Sequence, residues 1–235
     1  MWHRSWLEAA PKIKLFPVKD ARSPYPLTRE EQALLFQELP DHLARMALFK
    51  LNTGLREKEV CRLRWDYEVK VRELDTSVFI IPGEQIKNGE ERLVVLNRVA
   101  KSVVESVRGL HPVDVFVRAH RKVGEPRPVT KMNNTAWKAA RERAADAWAK
   151  EHAESAPAGF RTIRVHDLKH TFGRRLRAAG VSFEDRQDLL GHRSGRITTH
   201  YSQAELTSLI EAAEKVCDTE SRKSPATTWL RRKTG

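Results

Sequence analysis

Cysteine is nearly absent from this 235-residue chain: Cys61 and Cys217 stand far apart, with no second ligand at metal-binding spacing near either. That excludes a disulfide framework and a zinc module, and points to a reducing compartment. No apolar run approaches the roughly 20 residues that span a bilayer, so a membrane role is not expected and we read a cytoplasmic protein. No Walker-type glycine loop is present, and no acidic cluster stands out as a two-metal nuclease site. Tyrosine is also scarce, at three residues: Tyr25, Tyr67 and Tyr201.

Acid is in deficit against base. Asp and Glu total 31 against 43 Lys and Arg, a formal net charge of +12 with a pI near 10.0. Such a surplus suits a polyanion, DNA or RNA, although solvated helix faces can carry similar charge without any partner. A hydrophobic content of 40% is enough for a core.

Local patterns predict a mainly α-helical α+β protein with one small antiparallel β-sheet. Residues 1–26 carry Pro11, Pro17, Pro24 and Pro26 and read as an extended linker. Thr28 opens a capping box with Glu31 ahead of Leu34, Leu35 and Leu39. A second helix is expected over 41–53, with Leu43, Met46, Ala47, Leu48 and Leu51 at helical spacing and Gly54 as its left-handed end. Arg56 then falls at a turn. Between Tyr67 and Leu96 the pattern becomes β-like, with runs at 78–81 and 93–96 and Asn88-Gly89 as the hairpin signal, so Lys87 rides on that hairpin. Helices are expected over 99–107 and 134–149, the latter capped by Asn133 or Asn134, followed by a loop over 151–162. Three more helices are expected over 168–179, 183–190 and 204–216, the first two closed by Gly180 and Gly191. The catalytic domain is taken as 27–216. Residues 217–235 form a basic tail without apolar period, for which disorder is expected.

One ordered series carries chemistry: Arg56 in Thr53-Gly54-Leu55-Arg56, Lys87, His166-Asp167-Leu168-Lys169-His170, Leu189-Leu190-Gly191-His192, and Tyr201. Taken singly each has an ordinary structural reading, such as an Arg56–Glu59 surface pair, a solvated turn lysine or a histidine after a helix-ending glycine. Their order and flanks together resemble the catalytic set of the tyrosine recombinases, the phage integrase family, over approximately residues 27–216.

That resemblance implies a site-specific DNA recombinase in which Tyr201 attacks a DNA phosphate and forms a covalent 3′-phosphotyrosine. It implies Arg56 and Lys169 as phosphate-binding cations, Lys87 as general acid on the leaving 5′ oxygen, His166 as proton acceptor, and His192 as a donor to a phosphate oxygen, with Glu59 and His170 in support. The demand for cations is physical, because a five-coordinate phosphorus concentrates negative charge on its non-bridging oxygens. No cofactor and no metal is called for, since the phosphotyrosine keeps the energy of the broken bond. Double-stranded DNA, a recombinase tetramer on DNA and accessory DNA-bending proteins are the implied partners. The family's N-terminal core-binding domain would precede residues 1–26.

Lys169 departs from the pattern, which carries arginine there. A lysine is a point charge that cannot make the bidentate contact. An active variant, a weakened enzyme and an inactive DNA-binding relative all fit such a change, and the presence of every other member favours the first. A type IB topoisomerase shares the chemistry, but the chain's size and tail suit an integrase better. The first test compares DNA cleavage by wild type, Lys169→Arg and Lys169→Ala: the alanine variant is expected to lose activity, and equal activity would remove Lys169 from the chemistry.

Overall fold

The computed structural model describes residues 22–87, 89–118, 124–192 and 201–217. Asn88, residues 198–200 beside Tyr201, most of the expected linker and the basic tail beyond Cys217 lie outside the described residues. Among the described residues no helix is long and apolar enough to cross a membrane.

Helix α1 (Arg29–Glu38) starts as its sequence predicts, with the Thr28 side chain accepting from Glu31 N and Glu31 accepting in return from Thr28 N. Helix α2 (Asp41–Thr53) ends at Gly54 with φ +62, and Gly54 N donates to Lys50 O at 3.0 Å. After Leu55 the chain re-enters a one-turn helix, α3 (Glu57–Cys61), with Arg56 as its N-cap. The sequence pattern held no sign of α3, because a helix of five residues has no period to read.

The β region is an antiparallel sheet in the order β1 (Glu68–Val71), β2 (Thr76–Ile81), β3 (Arg92–Val95). The register pairs Val78 with Val95 and Ile81 with Arg92, so Lys87 lies on the connection between β2 and β3. Strand β1 adds to the two runs expected. A second, two-stranded pair, β4 (Val117–Arg118) with β5 (Arg127–Pro128), corrects the expectation of a single sheet.

Helix α4 (Arg98–Val107) is capped by Asn97, and α5 (Thr135–His152) by Asn134. The expected loop over 151–162 is overturned in part. Helix α5 runs on to His152, and a single turn, α6 (Ala158–Arg161), is held there by Phe160 in the core. Helices α7 (Asp167–Ala178) and α8 (Phe183–Leu190) then pack on each other, and α9 (Gln203–Glu214) closes the described fold. Helices α4, α5, α7, α8 and α9 all begin and end within three residues of the positions their spacing predicts.

Two apolar clusters fill the interior. The larger joins α1, α2, α4 and α5 around Leu35, Leu43, Phe49, Val104 and Trp137. The smaller joins the sheet to α7, α8 and α9 through Val78, Val95, Phe172, Leu189 and Leu209. Helix α7 spans both, with Leu168 in the first and Phe172 and Leu176 in the second. Leu209, Ala212 and Ala213 of α9 are buried in this smaller cluster, and Asn97 also donates to Ala213 O at 3.1 Å.

Residues 22–27 have no regular structure and are bonded down across α7. Tyr25 N donates to Asp167 Oδ1 and Leu27 N to Thr171 Oγ1, while Arg22 reaches the carbonyls of Gly159 and Thr162. The Tyr25 hydroxyl donates to Glu31 Oε1 at 2.5 Å, which gives that tyrosine a structural part.

Gly54 joins the end of α2 to the second core cluster. A Cβ there would meet Phe172 Cδ1 at 2.8 Å and Leu190 Cδ2 at 3.0 Å, on a backbone already left-handed. Gly54→Ala is expected to destabilise the protein by roughly 2–4 kcal/mol from αL strain and overpacking. A thermal melt should show a fall on the order of 10 °C.

Candidate active site

Three chain segments distant in sequence converge on one open groove of about 810 Å³. The turn after α2 brings Arg56. The start of α7 brings His166, Lys169 and His170, and the end of α8 brings His192. Pro24 and Pro26 of the bonded strap form part of one wall, and Arg174, Arg177 and Arg186 extend the cationic lining.

Each side chain is placed by local rules. Arg56 caps α3 with extended backbone (φ −73, ψ 158); its N–H donates to Glu59 Oε2 at 2.7 Å and its Nη1 to Glu59 Oε1 at 2.8 Å. His166 precedes α7, and one turn on, Lys169 and His170 follow it. The His166 and His170 rings meet edge to face with centroids 4.8 Å apart. His192 follows the left-handed Gly191 (φ 58) that ends α8, and its N–H donates to Gln187 O. Its Nδ1 lies 2.9 Å from Gln187 Oε1, which orients the ring.

Sequence reasoning missed two buried cations beneath the groove, Lys50 and Arg92. Lys50 is fully buried in α2, and its ammonium donates to Leu55 O in the turn that carries Arg56. Arg92, 4% exposed, pairs with Glu59 Oε2 at 2.5 Å and donates to the carbonyls of Gly54 and Leu189, each at 3.2 Å. Both had a signal in the sequence. Lys50 continues the buried stripe of Leu43, Met46 and Ala47, and Arg92 lies on the β3 face of Val94.

Burial first, and neighbouring charges second, set the protonation states. Burial, aided by Arg92 and Arg56, lowers the Lys169 pKa to about 6, and its Nζ donates to Leu190 O at 2.5 Å. Burial likewise brings Lys50 to about 7, against an opposing pull from Glu59. Burial raises the Glu59 pKa, but Arg92 and the bonds from Arg56 outweigh it and hold the carboxylate below its ordinary value. His166, His170 and His192 are each lowered, first by burial; neighbouring positive groups add to this, while Asp167 opposes it at His170 and, more weakly, at His166. The imidazoles are therefore neutral near pH 7 and able to accept a proton. An anion entering the groove meets fixed positive charge on the arginines and, in Lys169, an amine whose protonation its own charge would favour.

Of the residues singled out from sequence, Arg56, His166, Lys169, His170 and His192 share the groove, with Glu59 directly behind Arg56. Lys87 is exposed on the connection between β2 and β3 and is absent from the described lining of the groove. Tyr201 is half-buried and is absent from the described lining of the groove. It borders a small neighbouring cavity with Thr53, Leu93, Phe172 and Leu189, packed against the smaller core cluster.

A pocket of arginines, one lysine and neutral imidazoles has the chemistry to hold a phosphate. The phage integrase family profile matches residues 27–207, and the chain belongs to that family. It is 31% identical over 222 residues to the integrase of Salmonella phage P22, covering 91% of this chain and 52% of that protein. It is 25% identical over 199 residues to the tyrosine recombinase XerA of Pyrococcus furiosus, covering 82% of this chain and 62% of that protein. The chain thus spans between half and two thirds of the length of these curated relatives. Among solved structures it is similar to the Tn1549 transposon integrase in complex with circular intermediate DNA, at 20% identity and a TM-score of 0.48, covering 80% of this chain and 65% of that one.

Lowered lysine pKa values have a consequence for folding. Between the folded values of about 6 and 7 and the ordinary lysine value of 10.5, the unfolded chain binds more protons than the folded one. Stability contributed by these sites therefore rises with pH across that window, by at most about 1.4 kcal/mol per pH unit for each lysine. Urea unfolding from pH 6 to 9 should show this rise in wild type and a shallower one in Lys50→Met and Lys169→Met. Parallel slopes in all three proteins would contradict it.

Proposed function

We propose that this chain carries the catalytic part of a site-specific DNA recombinase, an integrase that cleaves and rejoins double-stranded DNA through a phosphotyrosine on Tyr201. The observation that carries the reading is the gathering of Arg56, His166, Lys169 and His192 from three elements into one groove, in a chain of the phage integrase family.

The steps follow from the chemistry of the groups. Arg56 binds non-bridging oxygens of the scissile phosphate with its planar fork. A phosphate beside Lys169 draws a proton onto its amine, which supplies the second cation as a point charge. His192 approaches the same oxygens from the end of α8. Phenol attack on phosphorus forms the Tyr201 Oη–P bond and breaks the bond to the 5′ oxygen. His166, neutral before the step, takes the phenolic proton, and Lys87 from its exposed loop gives a proton to the leaving 5′ oxygen. Rejoining reverses these transfers, and needs neither nucleotide nor metal because the phosphodiester energy is kept in the phosphotyrosine.

Since Tyr201 borders the neighbouring cavity in this structure, attack requires its phenol to move to the phosphate. DNA contact extends along Arg174, Arg177 and Arg186, and binding by this chain should weaken steeply with salt. Assembly as a tetramer on DNA with accessory bending proteins belongs to the same reading, as does the assignment of residues 1–26 as the linker from a core-binding domain.

The test uses nicked suicide duplexes with a randomised centre, incubated with the full chain at low salt. A covalent protein–DNA adduct is expected with wild type, none with Tyr201→Phe, and a rate about 100- to 1,000-fold lower with Arg56→Ala. An adduct that survives in Tyr201→Phe would refute the nucleophile. Bound DNA without adduct in wild type would make this a binding protein.

A further inference from the structure

Arg92 takes no part in phosphate binding or proton transfer, yet it touches the segments that carry Arg56 and His192 and lies on the strand next to the loop that bears Lys87. It opens β3, with its Cα paired to that of Ile81 at the root of the loop bearing Lys87. Its guanidinium donates to Glu59 on α3, to Gly54 O after α2 and to Leu189 O in α8. Gly191, beside His192, lies so close that a Cβ there would meet Arg92 Nε at 2.6 Å. Stability alone does not account for such a residue, because removing a guanidinium from water costs several kcal/mol and an apolar side chain of similar volume would fill the space at less cost.

The division of the Glu59 carboxylate suggests the reason. A carboxylate and a single arginine close into a two-bond fork pair. Arg92 and the Arg56 backbone N–H both occupy Oε2, so the Arg56 side chain holds Glu59 by one bond, Nη1 to Oε1, and remains 28% exposed toward the groove. We propose that Arg92 is a positioning residue that keeps Arg56 available to the DNA phosphate: it takes half of Glu59 and so prevents that carboxylate from closing on Arg56 as a bidentate pair. The inference rests on the reading of Arg56 as the phosphate clamp.

The experiment measures DNA affinity and single-turnover cleavage for the full chain in Arg92→Met, Arg56→Ala, their double variant, and Arg92→Met with Glu59→Gln. Arg92→Met is expected to slow cleavage at saturating DNA about 100-fold. In its background, Arg56→Ala should weaken DNA binding no further, because Arg56 is already sequestered, whereas a merely structural Arg92 gives additive losses. Adding Glu59→Gln should restore part of the lost rate, since no carboxylate then remains to trap Arg56. Additive affinities, or no recovery with Glu59→Gln, would overturn the proposal. Should Arg92→Met fail to fold, Arg92→Lys serves: a lysine that keeps the bond to Glu59 Oε2 leaves Arg56 available, so cleavage close to wild type is expected, and a loss as large as that of Arg56→Ala would overturn the proposal. Wild type that binds DNA without forming an adduct sinks the recombinase reading alone, because the affinity cycle still reports on Arg92.

Discussion

A single buried carboxylate, that of Glu59, stands among Arg56, Arg92, Lys50 and Lys169, and the site's geometry depends on how its charge is divided. Like charges gathered in a poorly solvated interior repel strongly, so each must find a counter-charge, a carbonyl or a way to lose its proton. The arginines cannot lose theirs at neutral pH and share Glu59. Lysines can, and Lys50 and Lys169 both shift far down. The lysine at position 169 can therefore give up its proton in this setting, where a guanidinium would keep a fixed charge.

Helix ends do much of the remaining work. The last carbonyls of a helix have no partner within it and sit at its negative pole. The buried cations occupy such carbonyls: Arg92 those of Gly54 and Leu189, Lys169 that of Leu190. Satisfying α2 and α8 from below fixes the two turns that follow them, and those turns present Arg56 and His192 to the groove. Gly54 and Gly191 permit the approach, since a Cβ at either would strike Phe172 or Arg92.

Much of this was legible along the chain. Thr28, Asn134, Gly54 and Gly191 cap the helices their chemistry predicts, because a cap is made between neighbouring residues and needs no distant partner. The one-turn helices α3 and α6 and the two-residue strands β4 and β5 were not legible. Elements so short form only because the surrounding core holds them, as Phe160 holds α6. Lys50 and Arg92 escaped for a different reason: both sit on apolar faces where a charge reads as an interruption of the pattern.

From its residues alone the chain determined its family, its ordered series from Arg56 to Tyr201, and the kind and ends of its longer elements, because these are written in spacings of a few residues. Tertiary structure alone decided that Glu59 serves two arginines, one of them 33 positions away, that Lys169 is buried against Leu190 O, and that Tyr201 borders a cavity beside the groove. Those outcomes depend on which segments pack together and how much water they exclude. Desolvation and charge sharing are properties of the assembled interior, and no spacing along the chain encodes them.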